Sequence, residues 1–227
     1  MKTLLLLLFI WMPLRQESNL EVFVACRTPE LFSNYRNTNF KQEIRSDIGG
    51  LTVKIKSQSL NFKNLNHAIA SDERYLADLD PLARAVFDQV RQNAMSIGDY
   101  LQNISCFLTN SITYIETDLS QDTVAVLRNR RAHCIGYANV AQTLLACVGI
   151  TSRPINGFYL RENATVIEPV PHRWLEIDLP GARRVFYDPQ YQDFSSRYLV
   201  TDQNIVFNRV ERFLGVVVRK SNKIMDE

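Results

Sequence analysis

Cys134 closes a basic, polar run, Arg128-Asn-Arg-Arg-Ala-His133, and opens an amphipathic stretch. A thiol at the start of a helix faces the positive end of the helix dipole and its unbonded N–H groups. With arginines nearby, that setting favours the thiolate, the nucleophilic form. The same N–H groups suit an oxyanion formed when a carbonyl is attacked. The ordinary alternative for a solitary cysteine is a small buried apolar residue. His172 begins the run His-Arg-Trp-Leu-Glu-Ile177. A strand period of two puts His172, Trp174 and Glu176 on one face and Arg173, Leu175 and Ile177 on the other. Imidazole is the side chain best suited to carry a proton near neutral pH, although a lone histidine is more often structural. His67 has no motif around it. His133 adjoins Cys134, but successive helical residues point apart, so it is the weaker alternative. Asp188 ends Arg184-Val-Phe-Tyr-Asp188 and precedes Pro189. If the two strands pair antiparallel through Pro180-Gly181, reflection about residue 180 sets Asp188 opposite His172. There it can hold the imidazole tautomer and stabilise imidazolium. Its ordinary alternative is a solvated residue before proline.

Other chemistries find less support. No Cys-x-x-Cys or His-x-x-x-His spacing points to a metal. Asp47-Ile-Gly-Gly50 reads as a turn rather than a phosphate loop. Arg130-Arg131 and Arg183-Arg184 read as solvated faces, and Cys106 and Cys147 as core. A net charge of +2 is too small to imply a nucleic-acid partner. With 46% hydrophobic and 22% charged residues, the chain can bury a sizeable core.

The positioning elements read as follows. Residues 19 to 48 look irregular, and Leu51, Val53 and Ile55 alternate with polar residues as a short strand. Asp80 caps a helix that Pro81 enters, with Leu82, Ala85, Val86 and Val90 inward. A second helix covers 99–109, burying Tyr100, Leu101, Ile104, Phe107 and Leu108, and a short one covers 121–129. The helix from Cys134 ends at Gly149. Strands follow at 151–160, 172–178 and 183–188, and Phe213–Val218 is a candidate extra strand. Helices followed by an antiparallel meander imply an α+β fold.

Four ordered pieces of this chain resemble the transglutaminase-like superfamily. They are Ile112-Thr-Tyr with Val126 to Ala138 around Cys134; Thr143 to Gly157, with its Gly-Ile-x-x-Arg-x-x-x-Gly run; His172-Arg-Trp-Leu-Glu-Ile; and Tyr187-Asp-Pro189. The resemblance covers about residues 96–190, with Cys134, His172 and Asp188 at family-like separations. Ala132 departs from the usual glycine, which implies a stiffer loop, and Arg173 from a small residue. The resemblance implies a papain/transglutaminase-like core, a nucleophile helix packed on an antiparallel sheet. It implies thiol-dependent acyl transfer at an amide of a protein or peptide, resolved by an amine or water. Cys134, His172 and Asp188 are then the catalytic residues, and Trp174, Arg173 and Tyr137 shape the substrate cleft. No metal or organic cofactor is required, and no acidic calcium loop is present in the sequence. The family's second oxyanion donor has no obvious counterpart. Two alternatives stay open: the same chemistry on small biosynthetic intermediates, and a non-catalytic binding module.

The chain divides into 1–18, a signal peptide or apolar extension; 19–75, an N-terminal segment with a short strand; 76–205, the transglutaminase-like core; and 206–227, a C-terminal extension. The apolar run Leu4–Met12 has the size of a signal-peptide core and is too short to span a bilayer. It favours a secreted, periplasmic or envelope location, with the cytoplasm as the alternative. Oligomeric state is open.

Overall fold

The computed structural model describes residues 17–58, 61–116, 119–162, 167–181, 183–191, 197–202 and 216–220. The apolar run at the amino terminus lies outside them. Strands β1 (Glu17–Ala25), β2 (Tyr35–Arg36), β3 (Phe40–Asp47) and β4 (Gly50–Gln58) come first. Helices α1 (Glu73–Ala77), α2 (Pro81–Arg91) and α3 (Ile97–Ser111) follow. Next come β5 (Thr113–Tyr114), α4 (Thr123–Asn129), β6 (Arg131–Ala132) and α5 (Cys134–Ala146). The chain then runs through β7 (Ser152–Glu162), β8 (Ile167–Leu179), β9 (Arg183–Tyr187), β10 (Tyr198–Val200) and β11 (Val217–Lys220).

Residues 19–48 are therefore not irregular. β1 pairs with β4 on one side and β11 on the other, and β3 pairs with β4 through a two-residue turn. In that turn Gly49 takes φ +78, which glycine adopts without strain. The misreading has a local cause. β3 and β4 carry Lys41, Glu43, Arg45, Lys54 and Lys56 between their apolar residues, and β1 opens on polar residues, so the apolar signal is broken along the segment. Val22, Val24 and Phe40 face the core, and Leu51, Val53 and Ile55 meet them from β4.

The sheet order is β10-β7-β8-β11-β1-β4-β3-β2, with β9 also on β8. β8 is long enough to hold β7 along one edge and to split the other between β9 and β11. The sheet curls until its parts meet. Phe32 bridges Thr201 beyond β10, and Thr38 N–H bonds the Arg184 carbonyl on β9. Its concave face encloses one core, with Trp174, Phe186 and Tyr198 among residues of β1, β3 and β4. The opposite face carries the helices. There Leu175, Ile177, Val185 and Tyr187 join the buried sides of α2, α3, α4 and α5 in a second core.

Local signals set the helices. Asp80 accepts a hydrogen bond from Leu82 N–H at the start of α2, and Ser96 with Asp99 forms a capping box on α3. The buried stripe of α2 is Ala83, Val86, Phe87 and Val90. Ala85 is exposed and Leu82 only half-buried, because the helix presents its Phe87 side to α3. α3 buries the five residues expected of it. α5 is buried on most sides, which fits its scarcity of charge.

Candidate active site

α5 begins at Cys134, with His133 as its N-cap: His133 Nδ1 accepts from Ile135 N–H at 3.3 Å. The segment before it is held in place by β6, which pairs in parallel with β5 and matches Tyr114 to Ala132. The left-handed residue in this connection is Arg130, at φ 55, which ends α4. Ala132 has no positive φ, so it fits where the resemblance expects glycine. The close approach is made instead at Gly136. A Cβ there would lie 2.6 Å from Gln121 Oε1 and 2.7 Å from Ala132 Cβ. Gln121 Oε1 accepts from His133 N–H at 3.1 Å and so ties the loop before α4 to the first turn of α5.

His172 lies on β8, with Trp174 and Glu176 at the same parity. The pairing of β8 with β9 sets Leu175 opposite Tyr187 and Leu179 opposite Arg183. The reflection centre is therefore residue 181 rather than 180, and His172 and Asp188 are diagonal rather than directly opposed. A two-residue slip leaves both side chains on the same face, because strand side chains alternate with period two. The diagonal span is within reach of a long side chain. His172 Nε2 and Asp188 Oδ2 stand 2.6 Å apart, with both residues buried. Asp188 Oδ1 accepts from the N–H groups of Gln190 (2.9 Å) and Tyr191 (3.3 Å). Tyr198 donates to Oδ2 at 2.7 Å.

With Nε2 committed to Asp188, Nδ1 is the imidazole nitrogen left for the thiol. Burial pushes Cys134 up, but hydrogen bonds with the His133 and His172 side chains, the His172 charge and the Arg173 N–H outweigh it. The thiol is brought from 9.0 down to about 6. His172 moves the other way. Burial pulls it down, and the charge and hydrogen bond of Asp188, then those of Cys134, lift it from 6.5 to about 10. The opposite shifts of these two adjacent groups favour a thiolate beside an imidazolium. Rings surround the imidazole: Tyr191 at 5.6 Å, Trp174 at 6.0 Å, Tyr198 at 6.1 Å and Tyr159 at 6.3 Å between centroids. Such faces favour a cation and keep water from it.

The other expected residues divide. Trp174 has no exposed surface; it packs on Phe186 and Tyr198 inside the curled sheet. Tyr137 is also buried, its hydroxyl on the Ile112 carbonyl at 2.6 Å. Neither is a wall of an open cleft, because each belongs to a core. Arg173 is half-buried, bonds Asn156 Oδ1 at 2.8 Å and senses the Cys134 charge. Tyr114 (41% exposed) and Tyr191 (36%) are rings near the pair that reach solvent, and Tyr159 is half-buried. Sequence reasoning missed Tyr191, Tyr198 and Gln121. Tyr191 had a signal, lying three residues after Asp188; Tyr198 and Gln121 had none, since only the fold brings them in. Cys106 is half-buried rather than core, while Cys147 is buried and pushed up to about 11. Among the described residues, no group of three or more His, Cys, Asp or Glu side chains is arranged to hold a metal.

Residues 84–189 match the family model of the transglutaminase-like superfamily. No curated protein matches the chain. A solved structure of a candidate cysteine protease from Cytophaga hutchinsonii is similar at a TM-score of 0.51 and 11% identity, covering 90% of this chain and 84% of that one. At that identity the likeness concerns the fold alone. The periplasmic domain of TgpA from Pseudomonas aeruginosa is similar at a TM-score of 0.48 and 16% identity, over 78% of this chain and 72% of that one. Residues 84–189 are thus similar in sequence to the transglutaminase-like superfamily, and the chain shares its mixed helix and antiparallel-sheet fold with the Cytophaga structure.

Proposed function

We propose that the protein is a thiol-dependent enzyme of acyl transfer at amides, with Cys134 as nucleophile, His172 as acid and base, and Asp188 as the orienting carboxylate. One observation carries this reading: a buried imidazole is bonded to a buried carboxylate at 2.6 Å, beside a thiol at the start of α5 that the His133 and His172 side chains together bring down to about 6. The thiolate attacks the amide carbon, and the carbonyl oxygen takes up the negative charge. The N–H of Cys134, at the open end of α5, is the first donor to that oxyanion. Collapse breaks the C–N bond. The proton on His172 passes to the departing amine or ammonia, leaving a Cys134 thioester. Water or an amine then attacks the thioester carbon and gives its proton to His172. The acid or new amide leaves, and Cys134 departs as thiolate. A protein or peptide amide is the substrate class this reading favours. Export through the amino-terminal apolar run belongs to the same reading, and N-terminal sequencing of the mature protein tests it.

The decisive experiment is alkylation of Cys134 by iodoacetamide as a function of pH, in wild type and His172→Ala. The expected wild-type rate rises through a pH of about 6. In the variant the rise moves toward the free-thiol value of about 8.5. Titration near 8.5 in both proteins would overturn the reading.

A further inference from the structure

We propose that Tyr198 is a positioning residue of the site, holding the Asp188 carboxylate so that His172 presents its other nitrogen to Cys134. The inference rests on the triad reading above. Tyr198 and His172 share one oxygen, Asp188 Oδ2, at 2.7 and 2.6 Å. The other oxygen is held by the N–H groups of Gln190 and Tyr191. Those two bonds fix Oδ1. The Tyr198 bond fixes Oδ2 independently of His172, so the carboxylate plane is set without help from the imidazole it must orient. A second donor also satisfies a lone pair that burial hides from water.

Tyr198 is supplied by a separate element. It stands on β10, opposite Tyr159 on β7, and is fully buried. β10 can sit this close because β7 has Gly157 beside it. A Cβ at that position would strike the Leu199 carbonyl and come within 2.7 Å of the Trp174 ring. Burial, with the Asp188 charge next, pushes the Tyr198 hydroxyl well above its ordinary value. It thus remains a neutral donor wherever the thiolate–imidazolium pair exists.

The test is the alkylation profile of Cys134 in Tyr198→Phe, beside wild type, His172→Ala and Tyr100→Phe. Tyr100 is an equally buried tyrosine whose hydroxyl bonds the Leu144 carbonyl, away from the site. A shift of one pKa unit is tenfold in thiolate fraction. We expect the Tyr198→Phe profile to move up by about one unit, slowing alkylation below pH 6 about tenfold. Tyr100→Phe should lose thermal stability and keep the wild-type profile. An unchanged or lowered profile in Tyr198→Phe, with His172→Ala still displaced, would overturn this role and leave the triad standing. A wild type that matches His172→Ala would overturn both. If Tyr198→Phe does not fold, ring-fluorinated tyrosine at position 198 keeps the shape and changes the donor. Fluorination makes the hydroxyl a stronger donor, so a profile displaced downward then supports the role, and an unchanged or raised one refutes it.

Discussion

Cys134 and His172 shift each other in opposite directions, so the pH dependence has a defined sign. The thiolate is present above about 6 and the imidazolium below about 10. Activity should therefore hold across that interval and fall at both ends, as a pH–rate series would read. Asp188→Asn keeps the shape of the side chain but removes its charge and presents the wrong hydrogen-bonding pattern to Nε2. We expect a loss of about two orders of magnitude or more in turnover at neutral pH, with a smaller loss in alkylation and a smaller change in thermal stability. Cys26, Cys134 and Cys147 stand in different settings. Cys147 is buried, bonded to the Thr143 carbonyl and pushed up to about 11. Burial also raises Cys26. Mass mapping after brief alkylation at pH 7 should find the label on Cys134. A predominant label on Cys26 or Cys147 would contradict the assignment.

At the scale of elements, two glycines permit the close approaches that assemble the site. Gly136 lets the first turn of α5 lie against Gln121 and Ala132. Gly157, paired with His172 across β7 and β8, admits β10 and the Trp174 ring together. Gly157→Ala drives a methyl into backbone, which cannot yield as a flexible side chain would. The expected cost is about 1–3 kcal/mol or more, read as a fall in melting temperature. The alkylation profile should shift as well, because Tyr198 moves with β10. Full stability in this variant would show that β10 can relax without cost.

At the scale of the whole molecule, the N-terminal strands and the strand that bears His172 form one body. Glu176, four residues beyond His172, is 2% exposed on its side chain. It accepts from Tyr35 Oη (2.9 Å) and Asn37 Nδ2 (3.1 Å) in the N-terminal region, and from Arg153 Nε (2.7 Å) on β7. Glu176→Ala leaves these donors without their common acceptor. It should destabilise the protein by about 2–4 kcal/mol, a range set below that of a fully buried pair because Arg153 is half exposed. Thermal melting of the variant checks this; a change under about 0.5 kcal/mol would mean that the clamp is dispensable.

The sequence by itself determined the segment around Cys134, the helix starts at Asp80 and Cys134, the turns at Gly49 and Gly181, and the placement of the helices of 81–146 before the strands of 152–187. These are local matters: caps, glycines and periodicity act within a few residues. It also brought His172 and Asp188 to one face, since parity survives a register slip of two. The register itself, the burial of Trp174 and Tyr137, and the roles of Gln121 and Tyr198 were decided by tertiary structure. No spacing rule links Tyr198 to Asp188 or Tyr35 to Glu176. Those contacts exist because the sheet curls on itself and buries both faces of β8, a consequence of packing distant strands together.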